Sequence, residues 1–342
     1  MRRRLRLLRT VVVLIVLVAL VLAGDRLRRH DPTASATRGA QRTQSARGPG
    51  TPRPASAPTR QTTTGPVAST TVPPASAASP TTVTTTTVTA TTVPPPITTT
   101  SVDGANGVLA QRTIVSYLES CHDNITVAVY DVEDGRTSTW RSGVTEDEAS
   151  ISKVDILAAL LHKDPSLDAD DLSTATSMIE DSDDTSANDL WQDLGEGNAE
   201  AAFNRKIGLT DTKPGPGIDW GLTTTTAVDQ VRLLRAVVLG THLLRAASRH
   251  LELNLMENVE PSERWGVSSG VKSGATLAIK NGWLPLEDAD WQINSIGWVD
   301  GQDRDYIIAV LTDDNGTEYE GISTIEGLSD LVWSAEGSHP KR

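Results

Sequence analysis

The chain has 342 residues, with 31 Lys and Arg against 44 Asp and Glu and a formal net charge of −13. Residues 1–100 hold 13 of the basic side chains and only two acids, Asp25 and Asp31, which leaves 18 basic against 42 acidic residues in the remainder. So acidic a surface repels phosphate backbones and argues against nucleic-acid partners. A single cysteine, Cys121, rules out an intrachain disulfide, and the six histidines show no ligand spacing, so no metal site is expected.

In chain order, residues 2–9 (RRRLRLLR) form a basic stretch and residues 11–23 an unbroken apolar run. That run is shorter than the roughly 20 residues a bilayer span needs. Residues 1–30 therefore read as a secretory signal, cut after Val21-Leu22-Ala23, or as an uncleaved signal anchor. No cysteine follows the run, so a lipoprotein signal is not expected, and the membrane is met only through this segment. Residues 31–102 are dominated by Thr, Pro, Ser and Ala and contain no aromatic side chain. Such a stretch cannot bury a core and reads as a disordered linker that holds the rest outside the cytoplasm.

Residues 103–342 are expected to fold as one domain, large enough for a substantial core. A helix is predicted over 107–121, then strands over 125–131 and 137–141 joined through Glu133-Asp134-Gly135, a good hairpin turn. Helical patterns cover 150–162, 170–181, 187–194, 199–207, 225–239 and 243–258. Strands at 276–281, 292–299 and 306–312 and a helix at 319–333 close the chain. Two strands, a block of helices, three strands and a helix predict an α+β fold. The first strands must join the last in one antiparallel five-stranded sheet, flanked by helices as an α/β/α sandwich.

Three short elements carry chemistry. Ser150-Ile151-Ser152-Lys153 heads an amphipathic helix, where residues three apart share a face. A helix N-terminus aims N–H groups and positive potential at the serine oxygen, and a lysine of lowered pKa can take its proton. Ser269 and Lys272 repeat the spacing without a helical pattern around them. The second element is Ser182-Asp183-Asp184-Thr185-Ser186-Ala187-Asn188, which supplies another hydroxyl or a helix cap; Ser182 and Ser186 are both candidates. The third is Lys280-Asn281-Gly282-Trp283, ending an apolar strand. Its lysine can bind a carboxylate and its glycine admits a substrate backbone, although Asn-Gly is also an ordinary turn. Lys272-Ser273-Gly274 is a rival, but it lies in a Gly/Ser loop.

In this order the three elements resemble the S-x-x-K, S-D-N and K-T-G set of class A β-lactamases and penicillin-binding proteins. The resemblance spans about residues 103–338. It implies that Ser150 is the acylated nucleophile, Lys153 its general base, Ser182 a proton shuttle and Lys280 the holder of a substrate carboxylate. Asp184, Asn281, Gly282 and Trp283 would face the substrate, with the N–H groups of Ser150 and Trp283 as an oxyanion hole. It implies no cofactor, and a β-lactam or a peptidoglycan-derived peptide as the ligand.

Four departures mark this chain. Asp184 stands where the family has Asn; it can only accept hydrogen bonds when ionised, and it is expected to raise the pKa of Lys153. Asn281 stands for Thr or Ser, a milder change. The stretch 210–222 lacks the family's deacylating Glu and offers Asp219 as its nearest substitute. Only about 30 residues separate Ser150 from Ser182, which implies a more open cleft. Three functions fit: a serine hydrolase acting on cell-wall peptides or related amides and esters, a true β-lactamase, and a wall-binding module with weakened chemistry.

Overall fold

The computed structural model describes residues 105–121, 124–286 and 290–337. The expected signal or anchor (1–30) and linker (31–102) lie outside the described residues, and no described helix is long and apolar enough to cross a membrane.

The core is one antiparallel sheet in the order β2-β1-β7-β6-β5. Its strands are β1 (Asn124–Asp131), β2 (Arg136–Trp140), β5 (Thr276–Pro285), β6 (Trp291–Gly301) and β7 (Arg304–Asn315). β1 runs beside β7, pairing Val127 with Val310 and Val129 with Ile308, so the two ends of the domain meet as expected. Side chains alternate along a strand. Ile125, Val127 and Val129 enter one core with Ile308 and Val310, whereas Ala128 and Tyr130 enter another with Ile307, Ala309 and Leu311. Both faces are covered, and the fold is α+β with three layers.

On one face lie α1 (Arg112–Ser120) and α8 (Glu318–Glu336). On the other lie α2 (Ser152–Lys163), α3 (Ala169–Glu180), α4 (Asp184–Leu194), α5 (Glu196–Ile207), α6 (Ala227–Val238) and α7 (Ala246–Glu257). Within this block α2 is buried from Ser152 to Leu161. Its Ile156, Leu157, Leu160 and Leu161 each contribute about 1.5–3 kcal/mol by leaving water. A two-residue pair not read from the sequence, β3 (Glu146–Asp147) with β4 (Thr224–Thr225), ties the segment before Ser150 to the end of the 210–222 loop. The helix expected from residue 225 therefore starts at Ala227, capped by Thr226, whose side chain accepts from the Asp229 amide.

Candidate active site

The α2 helix begins two residues later than its sequence pattern implies, because Ala149–Ile151 form a 3-10 turn that leads into it. Ser150 is half-buried on that turn. The preceding Ala149 has φ 51°, a left-handed backbone that costs a non-glycine residue on the order of 1–3 kcal/mol. Ser182, between α3 and α4, has φ 56°. Strain of this kind persists only where surrounding structure over-determines it, and both positions flank the lysine cluster.

Lys153 Nζ lies 3.0 Å from Ser150 Oγ, 2.6 Å from the Ser182 carbonyl oxygen, 3.2 Å from Ser182 Oγ and 2.7 Å from Asp184 Oδ1. An ammonium has three N–H bonds, so four acceptors cannot all be satisfied at once. The Trp220 ring centroid is 4.8 Å from the same nitrogen, and Asn188 Oδ1 accepts a 2.8 Å bond from the Trp220 indole. Ser182 and Asp183 divide two tasks: Ser182 faces the lysines, while Asp183 caps α4 by accepting from the Ser186 amide at 2.7 Å. Ser186 is engaged with that cap.

Asp184 does pair with Lys153 and pulls the lysine pKa up as expected, but a larger effect opposes it. Burial holds Lys153 below the usual amine range and outweighs the opposing pull of Asp184. The reason is exposure: the lysine side chain is 0% accessible and the Asp184 side chain 74%, so solvent screens the carboxylate.

Lys280 Nζ donates to Ser182 Oγ at 2.8 Å and to the Asn281 carbonyl at 3.1 Å. Burial, reinforced by Lys153, pushes its pKa down to about 7. Ser150, Lys153, Ser182 and Lys280 thus form one chain of polar contacts. The rivals lie elsewhere: Lys272 is exposed, and the Ser269 hydroxyl donates to Asp330 at 2.9 Å.

Two expectations about the third element change. The Asn281 amide donates to the carbonyls of Glu263, 2.7 Å, and Trp265, 3.1 Å, and its oxygen accepts from Ser295 Oγ at 2.6 Å. Strand alternation turns Asn281 to the opposite side from Lys280, so its side chain is no carboxylate donor. Gly282 makes room for protein rather than for a ligand. A Cβ there would stand 2.8 Å from the Glu148 oxygen, 2.8 Å from the Ser150 nitrogen and 2.9 Å from the Ile151 nitrogen. The glycine lets β5 press against the turn that carries Ser150. The half-buried Trp283 ring packs on Trp265, centroids 6.0 Å apart.

Sequence reasoning missed Glu263. It ends a short 3-10 turn, Pro261–Glu263, and its Oε2 is buried without a hydrogen-bond partner. Burial raises its pKa, while Lys280 and Lys153 pull it down. No local pattern marks this residue; the Asn281 amide that grips its carbonyl is a tertiary contact. Asp219, the substitute considered in the loop, sits immediately before the 3-10 turn Trp220–Leu222.

A strained serine turn, a buried lysine beside it and a second serine bridging to another lysine on an edge strand are set on an α+β fold. A family model described as the Beta-lactamase enzyme family matches residues 165–335. The chain belongs to that family. The matched span takes in Ser182, Asp184 and Lys280–Trp283 and starts after Lys153. Among relatives, "Putative lipoprotein LppW" of Mycobacterium tuberculosis is 25% identical over 196 residues, 54% of this chain and 62% of the relative's length. The match therefore spans somewhat under two thirds of that protein. A class A β-lactamase from Mycobacterium abscessus superposes with TM-score 0.57 at 22% identity, covering 65% of this chain and 97% of that one. A TLA-1 extended spectrum β-lactamase gives TM-score 0.60 at 18% identity, covering 66% and 97%. At these identities the likeness establishes the fold.

Proposed function

We propose that the chain is an extracytoplasmic serine hydrolase that forms an acyl-enzyme at Ser150, on a cell-wall peptide or a related amide or ester. The observation that carries this reading is the 3.0 Å contact between Lys153 Nζ and Ser150 Oγ, made by a lysine whose burial depresses its pKa. In the neutral form Lys153 accepts the Ser150 proton as Oγ bonds to the acyl carbon. The proton then passes by way of Ser182 Oγ to the departing nitrogen or oxygen as its bond to the acyl carbon breaks. Water completes the cycle by releasing the acid and regenerating the serine. Backbone N–H groups of Ser150 and Trp283 serve as the oxyanion donors in this scheme. Residues 1–30 act as signal or anchor and residues 31–102 as tether, in keeping with the lipoprotein description of the mycobacterial relative.

The test is intact-protein mass spectrometry after exposure to a penicillin and, separately, to an activated neutral aryl ester. An adduct that maps to Ser150 and vanishes in Ser150→Ala supports the reading; no adduct from any acyl donor rejects it in favour of a binding module. Sustained turnover of a chromogenic cephalosporin, lost in Ser150→Ala, would establish the β-lactamase reading instead.

A further inference from the structure

Asp184 Oδ1 and Ser150 Oγ share one neighbour, lying 2.7 Å and 3.0 Å from Lys153 Nζ. The carboxylate and the nucleophile are thus no farther apart than those two distances laid end to end, less than the reach of one long substrate side chain. The Lys153 side chain is 0% accessible and the Asp184 side chain 74%. At this end of the site a ligand meets the carboxylate, with the amine covered behind it. The buried Trp220 ring lies 4.8 Å from the same nitrogen, held by Asn188 one turn along α4 from Asp184.

The proton inventory of Lys153 leaves that carboxylate unbalanced when the site is ready to react. A neutral amine has two N–H bonds and one lone pair. Its two shortest contacts, the Ser182 carbonyl at 2.6 Å and Asp184 Oδ1 at 2.7 Å, are to groups that only accept, so they take the two N–H bonds. The lone pair is left for the Ser150 hydroxyl, as acylation requires. In this form Asp184 bonds to an uncharged amine and keeps its negative charge. Asp183 beside it adds a second acid and is spent on the Ser186 amide. A ligand cation would supply the missing charge through a charge-assisted hydrogen bond, whereas an anion would meet repulsion.

We propose that Asp184 selects acyl donors that carry an ammonium or guanidinium group within one residue of the scissile bond, on the acyl side. This rests on the serine-hydrolase reading above and names a substrate class for it. The acyl side is the one concerned because Ser182, with Lys280 bonded to it, borders the departing group in that scheme. The contact is open to solvent, so the preference is several-fold and not many orders of magnitude. Residues after 100 hold 42 acids against 18 bases, so a general attraction for cations has to be separated from a contact at Asp184.

The experiment uses a matched pair of thioesters, of Nα-acetylarginine and of Nα-acetylcitrulline, each with thioglycolamide as the leaving group. Citrulline keeps the shape of arginine and lacks its charge. Acylation joins Ser150 Oγ to the acyl carbon and releases the thiol with the serine proton; second-order rates are read by mass spectrometry. Wild type is expected to favour the arginine compound about three- to tenfold, and Asp184→Asn to bring the ratio close to one. The ratio cancels any effect of the substitution on Lys153 as a base, because both compounds share it. Asp193→Asn deletes the same charge from an exposed side chain about 13 Å farther along α4 and should leave the ratio as in wild type. Asp184→Ser serves if Asp184→Asn does not fold. No wild-type preference for arginine, a ratio unmoved at position 184, or an equal fall in Asp193→Asn overturns the selectivity. If neither thioester acylates Ser150, the hydrolase reading falls, and calorimetry of both compounds on Ser150→Ala, with and without Asp184→Asn, then decides the selectivity alone. Tighter binding of the arginine compound that is lost with Asp184→Asn supports it; any other result, including no binding, overturns it.

Discussion

Lys153 is the residue on which the proposed chemistry turns, and two opposed effects set its proton affinity. Burial lowers its pKa and Asp184, Asp183 and Glu263 raise it, with burial the larger. Removing one of the raising groups must move the balance further down. Asp184→Asn keeps the shape and an acceptor oxygen while deleting the charge, so Lys153 becomes neutral at lower pH. The acid limb of the acylation rate should shift to lower pH in Asp184→Asn, read from pH profiles with a neutral ester. A limb that stays put or moves upward would show that Asp184 does not govern the base. The ion pair spans a fully buried and a largely exposed side chain, so solvent screens it, and the shift is expected to be modest.

At the scale of elements, the site depends on how tightly β5 lies against the turn Ala149–Ile151. Gly282 meets backbone atoms there, not flexible side-chain ends, so neither wall can give way. Gly282→Ala should cost about 1–3 kcal/mol by overpacking, seen as a lower urea midpoint. It should also cut acylation more than that loss alone implies, because the strand must shift away from Ser150. The glycine was visible in the sequence, but its reason was not: a strand-end Lys-Asn-Gly suggests a ligand or a reversal, and only the fold shows which backbone approaches. The sheet itself was legible, because 125–131 and 306–312 are largely apolar on both faces and a buried strand reads that way. Ser182 could not be told from Ser186 by pattern, since both satisfy a helix start. Geometry separates them by giving Ser186 to the Asp183 cap and Ser182 to the lysines. Glu263 escaped altogether, lying in a loop remote in sequence from every element it serves.

For the molecule as a whole, the least legible feature is a set of acids inside the helical layer. Asp155, on the buried helix α2, is 0% exposed along with Glu148, Glu200 and Glu252. Asn204 donates to Asp155 at 2.6 Å and Gln230 to Glu148 at 2.9 Å, while both oxygens of Glu200 and of Glu252 lack hydrogen-bond partners. Desolvation raises the pKa of Asp155 to about 7 and those of Glu148, Glu200 and Glu252 well above the ordinary value. Elsewhere Glu146 rises to about 8 and Glu336 to about 7. A carboxyl whose folded pKa exceeds its unfolded one binds protons better when folded. Its stabilisation is complete below the unfolded value, near 4, and is lost as pH climbs to the folded value. Lys280 runs the other way, since its folded pKa of about 7 lies below the unfolded 10.5, so it adds stability only as pH rises beyond neutrality. Between pH 5 and pH 7 the acids therefore dominate, and the excess of surface carboxylates works in the same sense. The urea midpoint of the folded domain should fall from pH 5 to pH 7. Glu252→Gln removes one titrating group while keeping the volume, and should flatten the decline by at most about 1.4 kcal/mol per pH unit, the limit for one proton. A midpoint that rises over this interval, or a slope untouched in Glu252→Gln, would mean that these carboxyls are ionised and paired in the folded protein.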